Sequence, residues 1–145
     1  PVISVEAGDS TSSSLTETNG ILTDSGTLSV TDVDPGDVVT ASVLSVTPSG
    51  TTTGLASNNA ALLAMLSVNS QALDGSSTTG QINWNFNSGS EAFNYLAVGE
   101  QLTLVYTIEV QDLANASDSQ QVTITITGTN DEPTITVVGV TGEVM

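Results

Sequence analysis

Three aspartates in the run Asp32-Val-Asp-Pro-Gly-Asp37 form the densest set of ionisable side chains in this 145-residue chain. Carboxylates at this spacing around a Pro-Gly turn can curl until two or three oxygens converge. Like charges that close are unfavourable unless a cation joins them. The chain has no Cys and no His, so only oxygen ligands are on offer, and these suit a hard cation, Ca²⁺ first, rather than zinc or copper. A solvated turn accounts for the same residues, because Asp, Pro and Gly form turns on their own, and the run lacks the full ligand ladder of an EF-hand. Two more polar clusters follow: the segment from Asp112 to Asp118, and Gly128-Thr-Asn-Asp-Glu-Pro133 with Asn130 and Asp131 at its centre. Loops at strand ends can meet, and pattern alone leaves open which of these carboxylates do.

The charge balance narrows the partners. Asp and Glu total 16 against no Lys, Arg or His, a formal charge of −16. Without cations there is no phosphate clamp and no counterion-releasing surface, so nucleic acid and anionic membranes are excluded as partners. No apolar run approaches the roughly 18 residues that span a bilayer, and no basic stretch leads into an apolar one at the start, so no membrane insertion is expected. Starting at Pro1 without Met and ending on the apolar Val144-Met145, the chain reads as one unit of a longer polypeptide.

Other constellations carry less chemistry. Glu91 and Glu100 could serve as acid and base on a glycoside, but they flank an expected helical turn with no Lys, Arg or His to orient them, so no enzyme is expected. Trp84, Phe86, Phe93 and Tyr95 fall in one segment and could stack on a sugar, which makes a carbohydrate-binding module the alternative function. Trp84 and Phe86, however, alternate with Asn83, Asn85 and Asn87, the pattern of a strand with an apolar core face. Thr123, Thr125 and Thr127 could begin an ice-binding face, yet such a face needs many flat parallel rows and sheets twist; a solvated strand face is the expectation.

The elements that must hold these residues are mostly strands. Ser and Thr make up 41 residues, and they alternate with apolar residues at Thr27–Thr31, Val39–Thr47, Leu102–Val110 and Val122–Thr127, each run bounded by turn formers. Short strands at such spacing predict an all-β Greek-key sandwich. Two helical turns are predicted, over Asn58–Leu66 and over Ser90–Leu96 with Ser90 as the cap. A chain this long can bury roughly 68–70% of its unfolded surface, so one domain suffices. Pro1-Val-Ile-Ser-Val5 matches Pro133-Thr-Ile-Thr-Val137 at an offset of 132 residues. That offset predicts one unit over residues 1–132, with 133–145 starting the next repeat or forming a C-terminal extension.

Three ordered motifs carry a resemblance: Gly26-Thr-Leu-Ser-Val-Thr-Asp-Val-Asp-Pro-Gly-Asp37, then Phe93-Asn-Tyr-Leu-Ala-Val-Gly-Glu-Gln-Leu-Thr-Leu-Val-Tyr-Thr-Ile-Glu-Val-Gln-Asp112, then Val122-Thr-Ile-Thr-Ile-Thr-Gly-Thr-Asn-Asp-Glu-Pro133. From about Leu15 to Pro133 the chain resembles a VCBS repeat, a unit of long bacterial surface adhesins exported by type I secretion, many with RTX-type C-termini. The resemblance implies an immunoglobulin-like or cadherin-like sandwich. It also implies a non-catalytic, monomeric extender on the extracellular face of a bacterial cell, contacting neighbouring repeats of its own chain. Its role would be to hold a distal binding region away from the cell and support adhesion and biofilm formation, with surface glycans reached through other regions. A more distant similarity to cadherin repeats assigns Ca²⁺ ligands: Asp32 and Asp34 match the Asp-Ala-Asp loop, Asn130 and Asp131 the linker Asn-Asp before Pro, Glu17 the first-strand acid, and Asp112 the Asp after the penultimate strand. Asp37 and Asp118 complete the candidate metal set. The pattern departs at Phe93-Asn-Tyr-Leu96, where Asn94 offers a carbonyl and Leu96 no ligand atom, which implies a reduced calcium site.

Overall fold

Alternating apolar and hydroxyl residues settle into two sheets whose apolar faces meet. The computed structural model describes residues 1–130; Asp131 and the expected boundary and repeat after residue 132 lie outside them. One sheet has the order β1 (Val2–Ser4), β3 (Thr23–Thr31), β7 (Thr79–Asn87), β5 (Leu66–Val68). The other has β2 (Ser12–Thr16), β9 (Ser117–Thr127), β8 (Gln101–Asp112), β4 (Val38–Gly50), β6 (Gln71–Asp74). The chain changes sheets at every connection from β1 to β8 and stays within one sheet only at the β8–β9 hairpin, so β4 finds its long partner β8 across a large sequence gap. This is an all-β, immunoglobulin-like Greek-key sandwich, and the four predicted strand runs lie within β3, β4, β8 and β9.

The inward positions of the strands build one core. Leu102, Leu104, Tyr106, Ile108 and Val110 of β8 face Leu28 and Val30 of β3 and Ile82, Trp84 and Phe86 of β7, all fully or almost fully buried. Phe86 and Tyr106 meet edge to face across the two sheets, with centroids 6.3 Å apart. The polar tips of the core aromatics are satisfied: Trp84 Nε1 donates to the Ser10 carbonyl (3.0 Å), and Tyr106 OH donates to the Leu62 carbonyl (2.7 Å). Buried donors of this kind tie the core to specific loops, because leaving them unpaired is costly.

Three local outcomes differ from, or add to, the periodicity. A helix forms at α1 (Asn59–Leu63) with Asn58 Oδ1 accepting from the Ala61 amide (2.9 Å), but it stops early because Leu66 leaves to pair with Phe86 as the start of β5. Ser90–Leu96 makes reverse turns instead of a helical turn. Phe93 adopts a left-handed backbone (φ 57°), and its amide is held by the Glu91 carboxylate (3.0 Å) rather than by a Ser90 cap. Burial of Phe93 and Leu96 in the core holds this bend in place. β2 carries one apolar residue, Leu15, too few for a periodic signal, and is defined by parallel pairing with β9, Ser12 opposite Thr123.

The crossing from β1 in one sheet to β2 in the other is fastened by Asp9, whose carboxylate accepts from the Glu6 amide (2.9 Å) and from the hydroxyls of Thr27 and Ser29 (2.7 Å each). These donors, the Glu6 amide foremost, hold its pKa below the ordinary carboxylate value. Below this crossing Gly26 lies against the Trp84 indole, and a Cβ there would overlap the ring and the Ser10 hydroxyl. Trp84 is 1% exposed and has nowhere to go. Gly26→Ala is therefore expected to lower unfolding stability by about 1–3 kcal/mol, read from denaturant midpoints at unchanged slope.

Candidate metal centre

The loop from β3 to β4 leaves β3 at Thr31 and turns at Pro35-Gly36, where Gly36 takes a left-handed backbone (φ 89°). Asp32 is anchored at its start: its amide donates to the Thr78 carbonyl (2.9 Å), and its Oδ1 accepts from the Asp34 amide (3.0 Å). The curl brings one oxygen each from Asp32, Asp34 and Asp37 within 4.8 Å of one another. Asp32 is 5% exposed, and its Oδ2 accepts no hydrogen bond among the described residues. The Pro1 amino nitrogen lies 3.3 Å from that oxygen.

Electrostatics separate the three acids. The Asp34 amide, followed by the Pro1 amino group, holds Asp32 below the usual carboxylate range. Burial, then the charges of Asp32, Asp34 and Asp112, pushes Asp37 above it. Asp112 belongs to the same end of the sandwich because Val39, at the start of β4, pairs with it. Its own Oδ1 is engaged in closing the β8–β9 hairpin, accepting from the amides of Ala114 and Ala116 (2.9 Å each). Asp118 sits two positions into the returning strand, opposite Val110. It ties β1 to β9, with Oδ2 accepting from the Ile3 amide (2.8 Å) and Oδ1 from Ser119 (2.9 Å). Asp32, Asp34 and Asp37 thus converge, Asp112 adds field from one side, and Asp118 is occupied in holding strands together.

Glu17 lies at the other end. It follows β2, and its amide donates to the Thr127 carbonyl at the close of β9 (3.0 Å). The side chain is 2% exposed; Oε1 accepts from the amide (3.3 Å) and hydroxyl of Thr129, while Oε2 has no hydrogen-bond partner among the described residues. Asn130 follows Thr129 and is exposed. Thr129 escapes a search for acids; its signal is a hydroxyl beside the Asn130-Asp131 pair. Because the β8–β9 hairpin is direct, the Asp112 and Asn130 segments stand at opposite ends of that strand pair, roughly 35–40 Å apart for a 12-residue strand.

The donor set fits a hard cation on a physical test. Among the described residues each end has a nearly buried carboxylate with one oxygen that accepts no hydrogen bond; Glu17 Oε2 has no compensating charge, which is costly, and Asp32 Oδ2 has only the Pro1 amino group, 3.3 Å away. At the Asp32 end, two further carboxylates lie within coordinating reach. The remaining candidates do other work. Trp84, Phe86 and Phe93 are core residues, and the Tyr95 ring lies on Gly54 with its hydroxyl donating to Thr51 O (2.6 Å). Burial and the nearby Glu91 and Glu100 push the Tyr95 phenol up to about 12. Glu91 holds the Ser57 hydroxyl (2.7 Å) and the Phe93 amide, and Glu100 holds the Ala97 amide (2.8 Å), so both brace turns.

No family model matches the chain, and no curated protein matches it. Among solved structures it is similar to the ASH / PapD-like domain of human CEP192 (PapD-like domain 7), at 12% identity, covering 90% of this chain and 87% of that one, with a TM-score of 0.49.

The opposite pKa directions at the Asp32 end give a pH test. A raised folded-state pKa means that ionised Asp37 opposes folding, fully so above its folded pKa and not at all below its unfolded one. Asp32, with a lowered pKa, contributes stability above its unfolded value near 3.8, and this is lost as pH falls through its folded value. In chelator at neutral pH, Asp37→Asn is expected to melt higher than the parent chain, with the gap closing as pH falls through the acid range. Asp32→Asn should melt lower at neutral pH.

Proposed function

We propose that this chain is a non-catalytic extender domain of a bacterial surface adhesin, one of a tandem series that holds a distal binding region away from the cell and supports adhesion and biofilm formation. Calcium at its two ends stiffens it. The observation that carries this reading is the convergence of Asp32, Asp34 and Asp37 within 4.8 Å around a nearly buried Asp32 oxygen that accepts no hydrogen bond among the described residues. A second buried carboxylate oxygen, on Glu17, waits at the opposite end of the same strands.

An extender must keep its shape under tension and stay soluble. Hydrogen-bonded ladders running the length of β8 and β9 suit the first task, and a charge of −16 suits the second at a cost in self-repulsion. Asp32, Asp34 and Asp37 would hold Ca²⁺ at one end, with Asp112 adding attraction, and Glu17 with Asn130 and Asp131 would hold it at the other. The ion supplies the positive charge that the sequence lacks. Extracellular modules bind Ca²⁺ with dissociation constants of roughly 10⁻⁴–10⁻³ M, so such sites fill outside the cell and empty within it. Stiffness is thereby coupled to export.

Calorimetric titration of the chain with CaCl₂, paired with melts in chelator and in calcium, tests the reading. A saturated site at about 100 times its dissociation constant adds roughly 2.7 kcal/mol, which raises the melting temperature by several degrees. Asp32→Asn with Asp34→Asn is expected to abolish the heat at one site, and Glu17→Gln to weaken a second. Magnesium should not substitute, since it demands a tighter octahedral set. Identical melts in chelator and in calcium would refute the calcium part of the proposal.

A further inference from the structure

We propose that Asn19 is a site of spontaneous deamidation that places a new carboxylate at the Glu17 end of the sandwich. Two steps in the chain put glycine after an Asn or Asp, Asn19-Gly20 and Asp74-Gly75, and the structure treats them differently. Asp74 Oδ1 accepts from both the amide and the hydroxyl of Ser76. These bonds hold its pKa down, the hydroxyl foremost, so its carboxylate is kept as an anion engaged by neighbouring donors. Asn19 is exposed, lies in neither ladder, and has a left-handed backbone (φ 65°), which Asn tolerates. Among the described residues its side-chain amide makes no hydrogen bond to the protein, and the Gly20 N–H has no backbone acceptor. Gly20 also has no side chain to shield that nitrogen; the nearest atom to a Cβ built there is Thr18 Oγ1 at 3.9 Å.

The chemistry needs nothing from outside except water. The Gly20 nitrogen gives up its proton and bonds to Asn19 Cγ; the Cγ–Nδ2 bond breaks, and ammonia leaves carrying that proton. The resulting succinimide takes up water at either carbonyl and opens to aspartate or isoaspartate. Either product carries one more negative charge, two residues from Glu17. Isoaspartate also inserts a methylene into the backbone between β2 and β3.

The test is to age the chain in warm, mildly alkaline buffer and follow it by anion exchange and by fragmentation of the intact protein in a mass spectrometer. The expected result is an amide-to-acid mass gain confined to residue 19 and ahead of every other Asn, with isoaspartate detectable by isoaspartyl methyltransferase labelling. Gly20→Ala should slow the gain measurably, since its methyl group shields the attacking nitrogen. It is expected to fold normally, since Gly20 has no left-handed φ and a Cβ there makes only an ordinary contact with Thr18 Oγ1. A residue 19 that stays amidated while another Asn converts would overturn the proposal, as would an unchanged rate in Gly20→Ala.

Discussion

Every carboxylate in this protein must be satisfied without Lys, Arg or His, and that single constraint organises its loops. The partners are backbone amides and hydroxyls. Asp9 gathers Glu6, Thr27 and Ser29; Asp24 takes Ser13 and Ser25; Asp74 takes Ser76; Asp112 takes Ala114 and Ala116; Asp118 takes Ile3 and Ser119. Each of these acids closes a turn or joins two strands. An ionised acceptor makes stronger hydrogen bonds than a neutral one, so the acids act as staples and the abundant Ser and Thr supply much of what they hold.

Against this background the exceptions stand out. Among the described residues Asp32 Oδ2 and Glu17 Oε2 are buried and accept no hydrogen bond, Asp32 Oδ2 meeting only the Pro1 amino group. The two oxygens lie at opposite ends of the strands. A cation is the physically economical solution at such a point, because it offsets the desolvation of the carboxylate and the repulsion among its neighbours together. The raised pKa of Asp37 expresses the same frustration: burial and three nearby negative charges favour its neutral form.

The sandwich makes these ends matter. Its core is fixed by β7 and β8, where Trp84 and Tyr106 each fill the interior and hand a polar atom to a loop carbonyl. Those bonds lock Ser10 and Leu62, and through them the β1–β2 crossing and α1. The shape of each end is inherited from a rigid middle.

The amino-acid sequence by itself determined the strand periodicity, the inward faces of β3, β4, β7, β8 and β9, the Asn58 helix start and the acidic loop at Asp32. Each of these rests on neighbours a few residues apart: side chains alternate across a strand, and an Asn caps the next turn. Only the tertiary structure decided that Ser12–Thr16 is a strand, since its pairing is supplied by β9. It alone decided that Ser90–Leu96 bends at Phe93, since two core positions pull the chain there. It also decided which acids meet. Asp37 and Asp112 are 75 residues apart in the chain and share one end because the start of β4 pairs with the end of β8, Val39 opposite Asp112. Glu17 meets Thr129 because β2 runs parallel to β9. Local pattern cannot encode register between distant strands; packing of the whole core selects it, because a slip by one residue would turn every buried side chain outward.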